Sequence, residues 1–184
     1  MELAYLLPIV AFIALAAGLA VVFRRTGRLV ARAREEERFR SSVRDLVTRI
    51  DVSLSGAASR IDAVRRHQLE PQALMVTLEA ASDAVDKYTD EARNLGSPRD
   101  AKAIKADLVA DLERAGRALA MVEHGAGILV AVRRGDRELE AQTSIKRGYL
   151  NLVHAREAIA AHVVRADELA RDAADRVAAA RRST

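Results

Sequence analysis

The sequence predicts an all-α protein: an N-terminal transmembrane helix followed by an antiparallel up-down-up-down four-helix bundle of coiled-coil character. Three observations carry that expectation. A 21-residue run, LAYLLPIVAFIALAAGLAVVF over 3–23, holds no charged side chain. The rest of the chain repeats apolar residues at spacings of three and four, the helical period. Breakpoints are few, with three prolines and nine glycines in 184 residues, so long helices are favoured over many short strands.

The apolar run comes first in the chain. At about 1.5 Å per residue it spans a hydrocarbon core of about 30 Å. Pro8 removes one backbone hydrogen bond near the start, which membrane helices tolerate. A cleaved signal peptide is the competing reading, with Gly18-Leu19-Ala20 as a small-x-small site. Against it, only Met1 and Glu2 precede the run, with no basic side chain, and the run is longer than a signal core. Residues 1–23 are therefore read as an uncleaved anchor. Ala14-x-x-x-Gly18 and Ala16-x-x-x-Ala20 offer small-residue pairs for a membrane dimer seam.

A basic juxtamembrane segment, 24–40, follows. It holds seven arginines and three glutamates, a net of +4 that accounts for the net +4 of the whole chain. The positive-inside rule then assigns a single-pass topology at the cell membrane with the C-terminal domain in the cytoplasm. The remainder sums to zero, so the domain lacks the basic face of a nucleic-acid binder, and no nucleic acid is expected. Arg24, Arg25, Arg28 and Arg32, joined by Arg181 and Arg182, are the residues expected to contact the membrane surface.

Residues 41–184 form the expected cytoplasmic bundle, with helices at about 28–68, 71–95, 98–134 and 137–182. Pro71 suits a first helical position. In Gly96-Ser97-Pro98, Gly96 is expected in the left-handed position after one helix, Ser97 as cap and Pro98 at the first turn of the next. Gly135-Asp136 repeats the stop and start. The expected core stripes run from Phe39 to Val64, from Leu74 to Leu95, from Ile104 to Leu129 and from Ile145 to Val177.

Helix lengths carry a further expectation. Alternating helices of these lengths bring the end of the fourth level with about residue 34, and leave the 98–150 hairpin projecting roughly 18 Å past the 68–71 turn. Two helices alone are not expected to bury both stripes, which makes Leu119, Val122 and Leu129 an expected partner-binding tip. Gly125 and Gly127 fall inside the third helix, where they read either as close helix approach, with Gly148 facing them, or as a hinge between tip and body.

The motifs of chemistry do not occur. With no cysteine there is no thiolate nucleophile or ligand. None of His67, His124, His154 and His162 lies three residues after a glutamate, and no His-Glu-x-x-His appears, so no metal site is expected. His162 lies beside the apolar stripe and reads as a hydrogen-bonded boundary residue. No glycine-rich phosphate loop is found, so no cofactor and no small-molecule substrate are expected. The chain reads as a non-enzymatic membrane scaffold that meets a protein partner or itself. An anionic-lipid-binding module and a signal-relay bundle are the alternatives. The relay is motivated by the 3-4-4 stutter around Leu46, Ile50 and Leu54.

Overall fold

A computed structural model describes residues 3–131 and 137–182, the side chains of 3–23 and of Arg25, Thr26 and Arg181 excepted. Among the described residues there are four α-helices, one short 3-10 turn and no strand. Helix α1 runs without a break over Leu3–Arg65, α2 over Pro71–Asn94, α3 over Lys102–Ala131 and α4 over Glu138–Arg182. The apolar run and the first bundle helix are thus one rod of 63 residues, where a separate start near residue 28 was expected. No helix-breaking residue stands between them, and Gly27 alone costs only about 1 kcal/mol in a helix interior. The expected transmembrane span depends on the side chains of 3–23, which lie outside the described residues. Among those described, no helix is long and apolar enough to cross a membrane.

The ends of the helices follow local chemistry. The α1 terminus closes with two bonds, Gln68 N–H to the Ala63 carbonyl at 2.8 Å and His67 N–H to the Val64 carbonyl at 3.0 Å. That pattern needs a left-handed residue after the helix, and His67 supplies it at φ 56°. Pro71 opens α2 behind an extended Glu70. The next junction differs from expectation. Leu95 leaves α2 in an extended conformation, Gly96 is not left-handed, and Pro98 rather than Ser97 precedes a 3-10 turn at Arg99–Ala101. The Lys105 ammonium donates to the Leu95 carbonyl at 2.8 Å and so takes over the work of a glycine cap. The expected Gly135-Asp136 stop and start lies outside the described residues. Glu138 and Glu140 sit in the first turn of α4, where negative charge suits the helix dipole.

Neighbouring helices pack antiparallel in a ring: α1 on α2, α2 on α3, α3 on α4 and α4 on α1. This is the up-down-up-down bundle. An ion pair ties each seam. Arg49 grips Glu91 across α1 and α2, and Arg93 meets Glu113 at 2.7 Å across α2 and α3. Arg165 meets Asp107 at 2.7 Å across α3 and α4, and Arg44 meets Asp167 at 2.8 Å across α1 and α4. Such pairs, largely solvent-facing, contribute about 0–1 kcal/mol each. Fully burying one large apolar side chain is worth about 1.5–3 kcal/mol, and among the described residues Phe39, Leu46, Leu78, Leu112 and Leu152 are all below 2% exposed. Apolar burial therefore dominates stability, and the ion pairs select register.

The four stripes fill one core. Every residue expected from Phe39 to Val64 is buried, and so are Leu74, Leu78, Ala81, Val85 and Ala92. In α3 the stripe drifts by one residue at its end, where Ile128 is buried and Leu129 only half so. Helix α4 is the spine, reaching past the 3-10 turn of the α2–α3 junction at one end and past the α1–α2 turn at the other. At one end it accompanies α1 alone, and the Glu36–Arg176 pair sets Arg182 about level with Val30. That is about four residues lower than expected. At the other end the α3–α4 hairpin passes the α1–α2 turn. Arg65 stacks on the Tyr149 ring at 4.5 Å, and the eleven residues from Tyr149 back to Glu138 extend about 16 Å beyond it.

The projecting hairpin is closed, which corrects the expected partner-binding tip. Leu119 and Val122 are 0% exposed. The cause is close approach. A Cβ on Gly125 would lie 2.8 Å from the Ala141 carbonyl oxygen, and one on Gly148 would lie 2.7 Å from that of Ala118. With hydrogen at both positions the two backbones come near enough to bury a stripe between just two helices. Helix α3 is unbroken through Gly125 and Gly127, and Gly125 makes the close approach that the other reading expects. The two glycines should therefore respond oppositely. Gly125→Ala and Gly148→Ala must push backbone apart and should destabilise by about 1–3 kcal/mol each. Gly127→Ala meets nothing within 4 Å and should stabilise by up to about 1 kcal/mol. Thermal unfolding of the three variants checks the contrast.

Candidate functional site

Three places combine unusual geometry with polar chemistry. The first is a distal cleft where the projecting hairpin overhangs the α1–α2 turn. It encloses about 670 Å³. Val64, Ile128 and Ile145 form a buried apolar floor, with Leu69 and Leu129 half-buried beside them. His67, Gln72, Glu138, Gln142 and Lys146 form an exposed polar rim. His67 reaches this rim because of its left-handed backbone, a conformation that costs an L-residue about 1–2 kcal/mol. Arg65 is held in place by Asp62 at 2.7 Å and by the Tyr149 face. An apolar floor within a polar rim is the composition of a binding surface. The rim carries both signs of charge, with Glu138, Lys146 and His67 among the lining residues.

The second place is a polar cluster buried between α3 and α4. His162 is 3% exposed, with Nε2 2.9 Å from Asp111 Oδ2. Arg114 donates to the other Asp111 oxygen at 2.6 Å, and Arg165 approaches His162 Nδ1 at 3.5 Å while bonding Asp107. A ring with hydrogen on Nε2 and a bare Nδ1 satisfies both neighbours. The expectation of a hydrogen-bonded histidine holds, although the residue is buried rather than at the boundary. With every polar atom of the pair engaged, the cluster is a structural fastener.

The third is the basic end. Arg24, Arg28, Arg32 and Arg182 are exposed, and the side chains of Arg25 and Arg181 lie outside the described residues. Helix register brings Arg182 to the level of Arg28 and Arg32, so two ends far apart in sequence meet. Just above them Glu36 is buried, 3% exposed, against Arg176 at 3.6 Å. Its Oε2 accepts no hydrogen bond. Loss of hydration pushes the Glu36 carboxyl above its ordinary range, Arg176 opposes this, and Asp100 adds to it. At the α1–α2 seam the reverse holds, because the hydrogen bonds from Arg49 hold Glu91 below the usual carboxylate range.

No family model, curated protein or solved structure matches the chain. Among the described residues no group of three or more His, Asp or Glu side chains is placed to hold a metal ion. Of the residues singled out from sequence, the structure brings Arg28, Arg32 and Arg182 to one level, puts Leu129 at the cleft, and assigns Leu119, Val122 and Gly125 to the core. The cleft itself left no signal in the sequence, because its walls come from three separate segments. Asp111 did leave one, a carboxylate standing inside the apolar stripe between Leu108 and Leu112.

The Glu36 shift has a defined sign. A carboxyl whose folded pKa is raised binds its proton more tightly when folded. Its ionisation therefore costs stability once pH rises through the unfolded value near 4.5 and then the raised folded value. Glu36→Gln should raise the unfolding temperature at neutral pH. The difference from the natural chain should shrink as pH falls toward 4.5. Thermal melts of the two chains across pH check both points.

Proposed function

We propose that the protein is a membrane-anchored helical scaffold that holds a protein-binding cleft away from the bilayer and has no catalytic activity of its own. The continuity of α1 carries the reading. One helix leads from the apolar run 3–23 through the arginines to the far end of the bundle. From Arg24 to Arg65 it covers about 60 Å. The apolar run is long enough to span a bilayer, and the arginines after it favour a cytoplasmic bundle.

The partner is a protein segment with an apolar anchor and polar flanks, matched to the floor of Val64, Ile128 and Ile145 and to the rim of Gln72, Gln142 and Lys146. The absence of nucleophile, phosphate-loop and paired-carboxylate motifs in the sequence supports binding over turnover. The core stripes close within one chain, which favours a separate partner over self-association through them.

Two measurements test the reading together. The full chain should stay with membranes through alkaline extraction, whereas residues 28–184 should be released. A photo-cross-linking side chain at Gln142 should give one discrete adduct in cells, and the same group at Glu79 on the outer face of α2 should give none. Release of the full chain contradicts the anchor. Equal adducts at both positions, or none at Gln142, contradict the cleft.

A further inference from the structure

Among the described residues, Glu36–Arg176 is the lowest ion pair between α1 and α4. From Glu36 upward, Arg40, Arg44, Arg49 and Arg65 on α1 each meet a carboxylate within the chain. Below that level Arg24, Arg28, Arg32 and Arg34 make no ion pair among the described residues. Neither does Arg182 at the end of α4. The sequence explains why. Residues 24–34 and 177–184 together hold seven arginines and not one Asp or Glu. Antiparallel packing then lays 177–182 beside the upper part of 24–34, with Arg182 about level with Val30. The base of the α1–α4 pair is a cationic end whose arginines make no ion pair among the described residues, with Glu36 just above it drawn through space to Arg32 as well as Arg176.

We infer that this end is a two-point footing on an anionic lipid surface, in which the C-terminal end of α4 rests on the headgroups beside the α1 anchor. The inference rests on the proposed anchoring by 3–23. With Arg24 at the headgroups, Arg182 stands about 9 Å above it. An extended arginine side chain closes most of that gap, and the Debye length at physiological salt is about 8 Å. The negative potential of a cytoplasmic leaflet therefore reaches Arg182, and the cost of leaving like charges side by side is relieved by lipid. A helix held at one point pivots freely, whereas a second contact on a neighbouring helix fixes the tilt of the bundle. The footing thereby orients the distal cleft as well as tethering it. A lipid surface is favoured over a soluble polyanion because the acid-free segment 24–34 directly continues the apolar run.

The natural chain has no cysteine, so a single label can be placed at will. Ala179, exposed near the end of α4, takes a fluorophore as Ala179→Cys. The full-length labelled chain is reconstituted into vesicles of phosphatidylcholine alone or with phosphatidylserine, each carrying a headgroup quencher. The expected result is several-fold stronger quenching in the phosphatidylserine vesicles. High salt should abolish the excess, and so should Arg28→Glu with Arg182→Glu, two exposed and unpaired positions whose exchange leaves the helical melt unchanged. Equal quenching in both vesicles, or an excess that survives salt, overturns the footing while leaving the anchor standing. A change that arrives only on adding soluble heparin, whichever lipid is present, overturns it in favour of a soluble acidic partner. Failure of the full chain to float with either vesicle overturns the anchor and the footing together.

Discussion

The close approach of α3 and α4 is the contact on which the molecule depends. Among the described residues α4 runs from the distal hairpin to the base of the bundle, and α3 is its most extensive neighbour. Two glycines, one on each helix and about one turn apart in level, remove the side chains that would hold the backbones apart. Packing of this kind exchanges helix propensity for shape. Each glycine costs about 1 kcal/mol in the helix and returns it as burial of Leu119, Val122, Ile128 and Ile145. Without that approach the hairpin would expose its stripe, and the distal cleft would lose its floor.

Below the glycines the same seam changes character. His162 and Asp111 replace apolar neighbours with a paired polar contact, and Arg114 and Arg165 complete it. A buried polar pair is weak as a source of stability but strong as a selector, because a slip in register would leave both groups unpaired. Glycine contact above and polar contact below therefore hold α4 in one register. Everything placed by α4, from Glu138 at the cleft to Arg182 at the base, inherits that register.

Sequence patterning carried most of the fold. Apolar residues at spacings of three and four identify the core almost residue by residue, because each helix buries a single stripe. Pro71 marks a boundary because its missing N–H is harmless only in a first turn. The failures have equally local causes. Gly96 was not needed in a left-handed role once Lys105 reached the Leu95 carbonyl, an interaction spanning ten residues. His67 took that role at the previous junction, where no glycine advertised it. The burial of Leu119 and Val122 is not legible in helix length, which says how far a hairpin projects and nothing about how close its arms come. Of the candidate sites, the arginine end was legible as composition, while its joining with Arg182 required the register. The cleft was not legible, since it is a gap between segments rather than a property of any one.

These features make a rod with two differentiated ends. One end is apolar and then cationic, the other is concave with an apolar floor, and the core between them is closed. A scaffold reading uses both ends and asks nothing of the middle but stiffness. Its central claim is that the four stripes close within one chain. The most direct test is the solution mass of residues 28–184, by light scattering across a wide range of concentration. The account predicts a monomer at every concentration, with an unfolding midpoint that does not depend on concentration. A stable dimer, or a midpoint that rises with concentration, would contradict it and would make the helical seams interfaces between chains.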